Sequence, residues 1–235
     1  MKNTFEGKPL VEMPKEIPRV GFLSGDFGRT EFLPEYKGRV QKDYNGNSRL
    51  DVLSWNEQAQ CVVGSNDFSV PLAHQILQEV GLGVAAQADL ERILKYNTLS
   101  LQGTYEDSAL VLRSTKDPNS YLVQNLRVQL PQAPLPAMIN LKDVTIVNDP
   151  KSPNGLAFKV KEGIVPIYAP IFNKLGKFNP GDIDEATGLP KKTGKQCTRE
   201  LLTYDNGLCR LFLGRDVDLD SSRFDLGDSG AYGRV

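Results

Sequence analysis

Hydrophobic positions change period along the chain. From residue 48 to 63 the runs "LDVLSW" and "QCVV" are short and read as strands. Over about 70–80 the spacing becomes three and four, and Ala73, Ile76, Leu77 and Val80 share one helical face. Ser69 stands where a helix cap is needed, and Pro71 suits the first turn. A second helix is predicted over about 87–96, with Leu90, Ile93 and Leu94 inward. Asp89 in its first turn complements the helix dipole.

From "SALVLRS" onward the pattern is mostly that of strands. "SYLVQNLRVQL" fits two periods: Leu126, Val128 and Leu130 alternate, while Leu122, Val123, Leu126 and Leu130 suit a helix. "VTIVNDPKSPNGLAFKV" reads as two strands around a proline-rich turn, and "RELLTYDNGLCRLFLG" as a hairpin turning at Asn206-Gly207. Trp55, Val111, Val128, Ile146, Phe158 and Leu211 are expected in or near the core.

These elements predict an α+β fold: a mainly antiparallel sheet with a two-helix hairpin packed at one edge. The core domain spans 48–215 and carries a long polar loop at 173–196. Residues 1–47 hold four prolines and six glycines, which disfavour long regular elements and predict an extended N-terminal arm. Phe5, Phe22 and Phe32 would dock that arm on its own core or on a neighbouring subunit. Residues 216–235 form an acidic C-terminal segment, expected to dock on a neighbour's basic loop.

Charge narrows the classes of partner. Twenty-eight basic residues face 29 acidic ones, and a net charge of −1 sets up no global field toward nucleic acid or an anionic membrane. Cys61, Cys197 and Cys209 are odd in number and form no C-x-x-C pair, which reads as thiols in a reducing compartment; a Cys197–Cys209 bridge is the weaker alternative. The opening "MKNTFEGKPLVEMPKEIPRV" has no signal-peptide run, and no stretch approaches the ~20 apolar residues of a membrane helix. The expectation is a soluble protein, cytoplasmic or part of an assembled particle, with no membrane partner.

Candidate chemistry is sparse. Gly81, Gly83 and Ala86 have the spacing of a dinucleotide loop, but they follow a predicted helix where a strand is needed. "GLPKKTGKQ" has five residues between Gly188 and Gly194 where a phosphate-binding loop has four, and Gln196 replaces its Ser or Thr. No cofactor is expected. Asp216, Asp218 and Asp220 alternate like calcium ligands, although Ser221 and Gly227 depart from that loop; a solvated acidic face is the competing reading. His74, the single histidine, is expected to pack or cap. Glu106 and Asp107 are adjacent acids that a strand would point to opposite faces, so they make a poor acid–base pair.

No catalytic residue is therefore assigned. The leading expectation is a non-enzymatic structural or assembly subunit of a larger complex, such as a virus or phage particle component, whose partners are copies of itself. The alternative is a nucleoprotein subunit contacting phosphates through Lys191, Lys192, Lys195 and Arg199 of the 174–199 region, with Arg113 and Arg127 adding strand-face cations. An enzyme without a recognisable motif comes third.

Overall fold

The computed structural model describes residues 19–204 and 206–235, together with the backbone of two short paired strands, β1 (Thr4–Phe5) and β2 (Lys8–Pro9). A π-helical turn, Phe27–Phe32, runs directly into α1 (Leu33–Tyr44). There follow β3 (Ser54–Asn56), β4 (Cys61–Val63), α2 (Ser69–Glu79), α3 (Gln87–Tyr96), β5 (Glu106–Leu112) and α4 (Ser120–Gln129). The second half contains β6 (Ala137–Asn140), β7 (Val144–Asn148), β8 (Leu156–Val160) and β9 (Ile167–Tyr168). It ends with β10 (Gly176–Phe178), β11 (Arg199–Thr203), β12 (Leu208–Leu213) and β13 (Leu219–Ser221).

Seven strands form the main sheet in the order β10-β11-β13-β12-β5-β6-β9, antiparallel except where β13 runs parallel to β11. Its two edges are joined by very little chain. Outer strands of a flat seven-stranded sheet stand about 29 Å apart, and the eight steps from Tyr168 to Gly176 could reach at most about 29 Å even if fully extended. Four of the linking residues also form a 3₁₀ turn, Pro170–Asn173, which shortens the span further. The sheet must curl, and Phe172 bridges its concave side. Its carbonyl accepts from Thr203 Oγ1 at 2.9 Å, and its ring lies 5.5 Å from the Arg113 guanidinium.

Alternating side chains of the central strands feed two hydrophobic clusters. Leu110, Leu112, Ile139 and Leu208 face α1, α2, α4 and the β7–β8 hairpin. Ala109, Val111, Met138 and Leu211 face α3, Phe172, Phe178 and Leu189. The sheet is thus covered on both sides, which is why all seven residues of β5 are buried.

The α+β class and the mostly antiparallel sheet agree with the sequence reading. Several finer expectations do not. Residues 27–44, assigned to an extended arm, are helical: Pro34 sits in the first turn of α1, where its missing N–H is harmless. Phe32 is buried in the chain's own core and Phe22 half-buried against the second cluster; Phe5 lies outside the described side chains. The helices α2 and α3 contribute to different clusters.

The Asn206-Gly207 turn does not close a simple hairpin, because β13 inserts between β11 and β12. Leu208 N–H instead donates to Pro118 O, and Arg113 N–H donates to Gly207 O. The acidic C-terminal segment accordingly supplies one inner strand of the sheet, β13, and buries Leu219 and Leu226. Val128 is 81% exposed, since "SYLVQNLRVQL" is helical and turns Leu122, Val123 and Leu126 inward instead. The 173–196 loop is largely ordered by β10 and by bridges from Lys177 to Gly194 and from Ile183 to Pro190.

Candidate functional site

Tyr105 precedes the central strand β5, which Glu106 and Asp107 open, and these three residues line two cavities. The larger, about 430 Å³, is bounded by residues 19–24, α2, α3 and Glu106 and Asp107. Its walls are mainly apolar, including Phe22, Leu77, Leu90, Ile93 and Leu101. The smaller, about 340 Å³, is lined by Tyr105, Arg210, Arg215, Asp216, Asp218 and Asp228 among others.

Asp107 and Arg210 separate the two cavities. The Arg210 Nε and Nη2 both donate to Asp107 Oδ1, at 3.0 and 2.5 Å, while Ser65 Oγ donates to Oδ2 at 3.2 Å. Arg210 Nη1 donates to Asp228 O at 2.9 Å, and the guanidinium lies over the Phe212 and Tyr105 rings at 4.9 and 5.5 Å. Asp67 is 3.7 Å from the same guanidinium, yet neither carboxyl oxygen has a hydrogen bond among the described residues. Burial, followed by repulsion from Asp107, holds Asp67 well above the usual carboxylate range. Burial raises Asp107 as well, so two buried aspartates share one arginine and only Asp107 is hydrogen-bonded to it.

Glu106 lines the larger cavity together with Asp107 but makes no hydrogen bond to this cluster among the described residues. It is 7% exposed, and burial pushes its carboxyl up to about 7, against the opposing contact with Thr104. Thr104 Oγ1 lies 2.5 Å from Oε1, while Oε2 has no partner among the described residues.

The three aspartates considered for calcium are placed around the smaller cavity but engaged separately. Asp218 Oδ1 accepts from Glu200 N–H at 2.6 Å, Asp220 Oδ1 accepts from Ser222 N–H and Oγ at 2.8 and 2.7 Å, and Asp216 is exposed. Among the described residues no group of three His, Cys, Asp or Glu side chains is arranged to hold a metal ion.

The basic residues also part company. Lys191, Lys192 and Lys195 are exposed, and Lys192 pairs with Asp182 at 3.3 Å. Arg199 is buried instead, donating to both oxygens of Glu91 at 2.6 and 2.8 Å and to Val217 O at 2.6 Å. Arg113 is buried against Thr203 and Ser221, and Arg127 donates to the Pro131 and Ala133 carbonyls. Arg199 therefore ties α3 to the sheet and is no surface cation. His74 packs as expected: its Nδ1 accepts from Val84 N–H at 3.2 Å, and burial lowers it to about 4. Cys61, Cys197 and Cys209 are all free thiols.

Sequence reasoning passed over Glu106, Asp107 and Arg210 as site residues. The available signal was "TYED" leading straight into "SALVL": charges entering a strand with no exposed face must find a buried partner or a cavity. No family model matches the chain, and no match to it is found among the curated proteins or the solved structures.

Proposed function

We propose that the protein is a non-enzymatic assembly subunit that associates with copies of itself along the open edge of its curled sheet. The supporting observation is the segment around β9. In eleven residues, Val165, Tyr168 and Leu175 are 84%, 55% and 63% exposed, beside a strand whose outer side is the sheet's edge. Large apolar groups next to an unpaired edge favour association, where removing them from water contributes roughly 25 cal/mol per Å².

Pro166 and Pro170 bracket β9 and limit any continued ladder, so side-chain packing rather than added strands would carry the contact. The net charge of −1 gives copies little mutual repulsion, which makes a second copy the fitting occupant. The nucleoprotein alternative has less support, since of the four cations on which it rests Arg199 is enclosed and only Lys191, Lys192 and Lys195 are exposed.

The test is a double substitution, Val165→Lys with Tyr168→Lys. It should weaken self-association at least tenfold while leaving the urea unfolding midpoint within error, because both side chains are exposed. Unchanged association would remove the edge from consideration.

A further inference from the structure

The larger cavity contains one buried polar atom that its surroundings leave unanswered. Arg19 and Ser24 stand exposed at its rim, and its other charged groups are engaged: Asp89 Oδ2 accepts from Ala86 N–H at 2.9 Å, and Oδ1 pairs with Arg92 at 2.8 Å. Asp107 is held by Arg210 and Ser65, and Arg234 Nη1 donates to the Ala231 and Gly233 carbonyls at 2.7 and 3.1 Å. Glu106 Oε2 is the exception among the described residues. We infer that this cavity binds a small apolar amine, whose nitrogen donates to Glu106 Oε2 while its hydrocarbon body lies against Leu77, Leu90, Ile93 and Leu101.

The choice of a donor follows from the protons. Thr104 Oγ1 is 2.8 Å from Leu101 O and 2.5 Å from Glu106 Oε1, but a hydroxyl carries a single proton. When that proton goes to the Leu101 carbonyl, a neutral Glu106 gives its own to Thr104 Oγ1, and Oε2 remains an acceptor. When Glu106 is ionised, both its oxygens accept. In both of these states the open atom calls for an N–H or O–H; a neutral Glu106 that accepts from Thr104 and keeps its proton on Oε2 would call for an acceptor instead.

An amine suits it better than an alcohol. An ionised Glu106 faces Asp107 and the Arg234 charge but has no bonded cation among the described residues, and an ammonium brings a compensating charge together with the donor. The volume of about 430 Å³ falls in the range of ligand pockets and accommodates a chain of about eight carbons.

The experiment is calorimetric titration of the full chain with n-octylamine and with 1-octanol at pH 7.5. Saturable 1:1 binding of octylamine, at least tenfold tighter than octanol, is expected. Glu106→Gln keeps the volume and should erase that preference, and Ile93→Trp, which fills the cavity, should abolish binding of both. On the wild-type protein, the octylamine affinity should fall as pH drops from 7.5 to 5.5 while that of octanol stays level. This arm holds even if a variant fails to fold. Absence of saturable octylamine binding would overturn the inference. So would equal affinity for amine and alcohol on the wild type.

Discussion

Arg210 places two of its nitrogens on a single oxygen of Asp107, Nε at 3.0 Å and Nη2 at 2.5 Å, inside the sheet. Both side chains are essentially closed to solvent. A pair of this kind is costly to break, because the remaining charge has no water to turn to. Arg210→Ala is expected to cost about 3–5 kcal/mol, measured by urea unfolding. A loss below about 1 kcal/mol would mean that water reaches the pair.

Asp67 should respond in the opposite way. Burial raises its carboxyl well above the usual range and it has no hydrogen bond among the described residues, so an amide of the same shape replaces it with little penalty. Asp67→Asn is expected to leave stability near pH 7 unchanged or raised. A large destabilisation would show that Asp67 is ionised and shares Arg210 with Asp107.

Two buried groups give pH dependences of opposite sign. Burial raises Glu106 to about 7, so its contribution to stability is present below about 4.5 and is lost as pH climbs through 7. The full swing is on the order of 3 kcal/mol. Burial lowers His74 to about 4, so its contribution is present above about 6.5 and lost as pH falls through 4. Between about 4.5 and 6.5 the two slopes oppose each other. Glu106→Gln should therefore give a stability profile that rises with pH relative to wild type across this window, and His74→Gln one that falls. Parallel profiles for all three proteins would contradict both assignments.

Gly207 tests the altered connection between β11 and β12. Its φ is +67°, and an added Cβ would stand 2.2 Å from Pro118 O. Gly207→Ala should destabilise the protein by at least about 1–3 kcal/mol. Gly21, with open space around it and no positive φ, serves as the comparison at which alanine is tolerated.

Those elements whose hydrophobic period speaks for itself were legible in the sequence. The helices α2 and α3, and the β7–β8 pair around its proline-rich turn, lie close to where Ala73, Leu90 and Ile146 imply. α1 was hidden because Pro34, Gly28 and Gly38 were weighed as breakers rather than by position; Pro34 is harmless in a first turn, and Gly28 lets the Leu23 carbonyl approach closely. β13 was hidden because three residues of "DVDLDSS" carry no period, and only the gap between β11 and β12 gives that strand a place. Alternation alone sends Glu106 and Asp107 to opposite faces; that both line the larger cavity, with Asp107 also held by Arg210, needed the cavity to be seen.

Self-association is the central claim, and the mass of the intact wild-type protein tests it most directly. Sedimentation equilibrium over a hundredfold range of concentration, without nucleic acid, should show the weight-average mass rising above the 26.0 kDa of one chain. A mass that stays at 26.0 kDa across the whole range would contradict it.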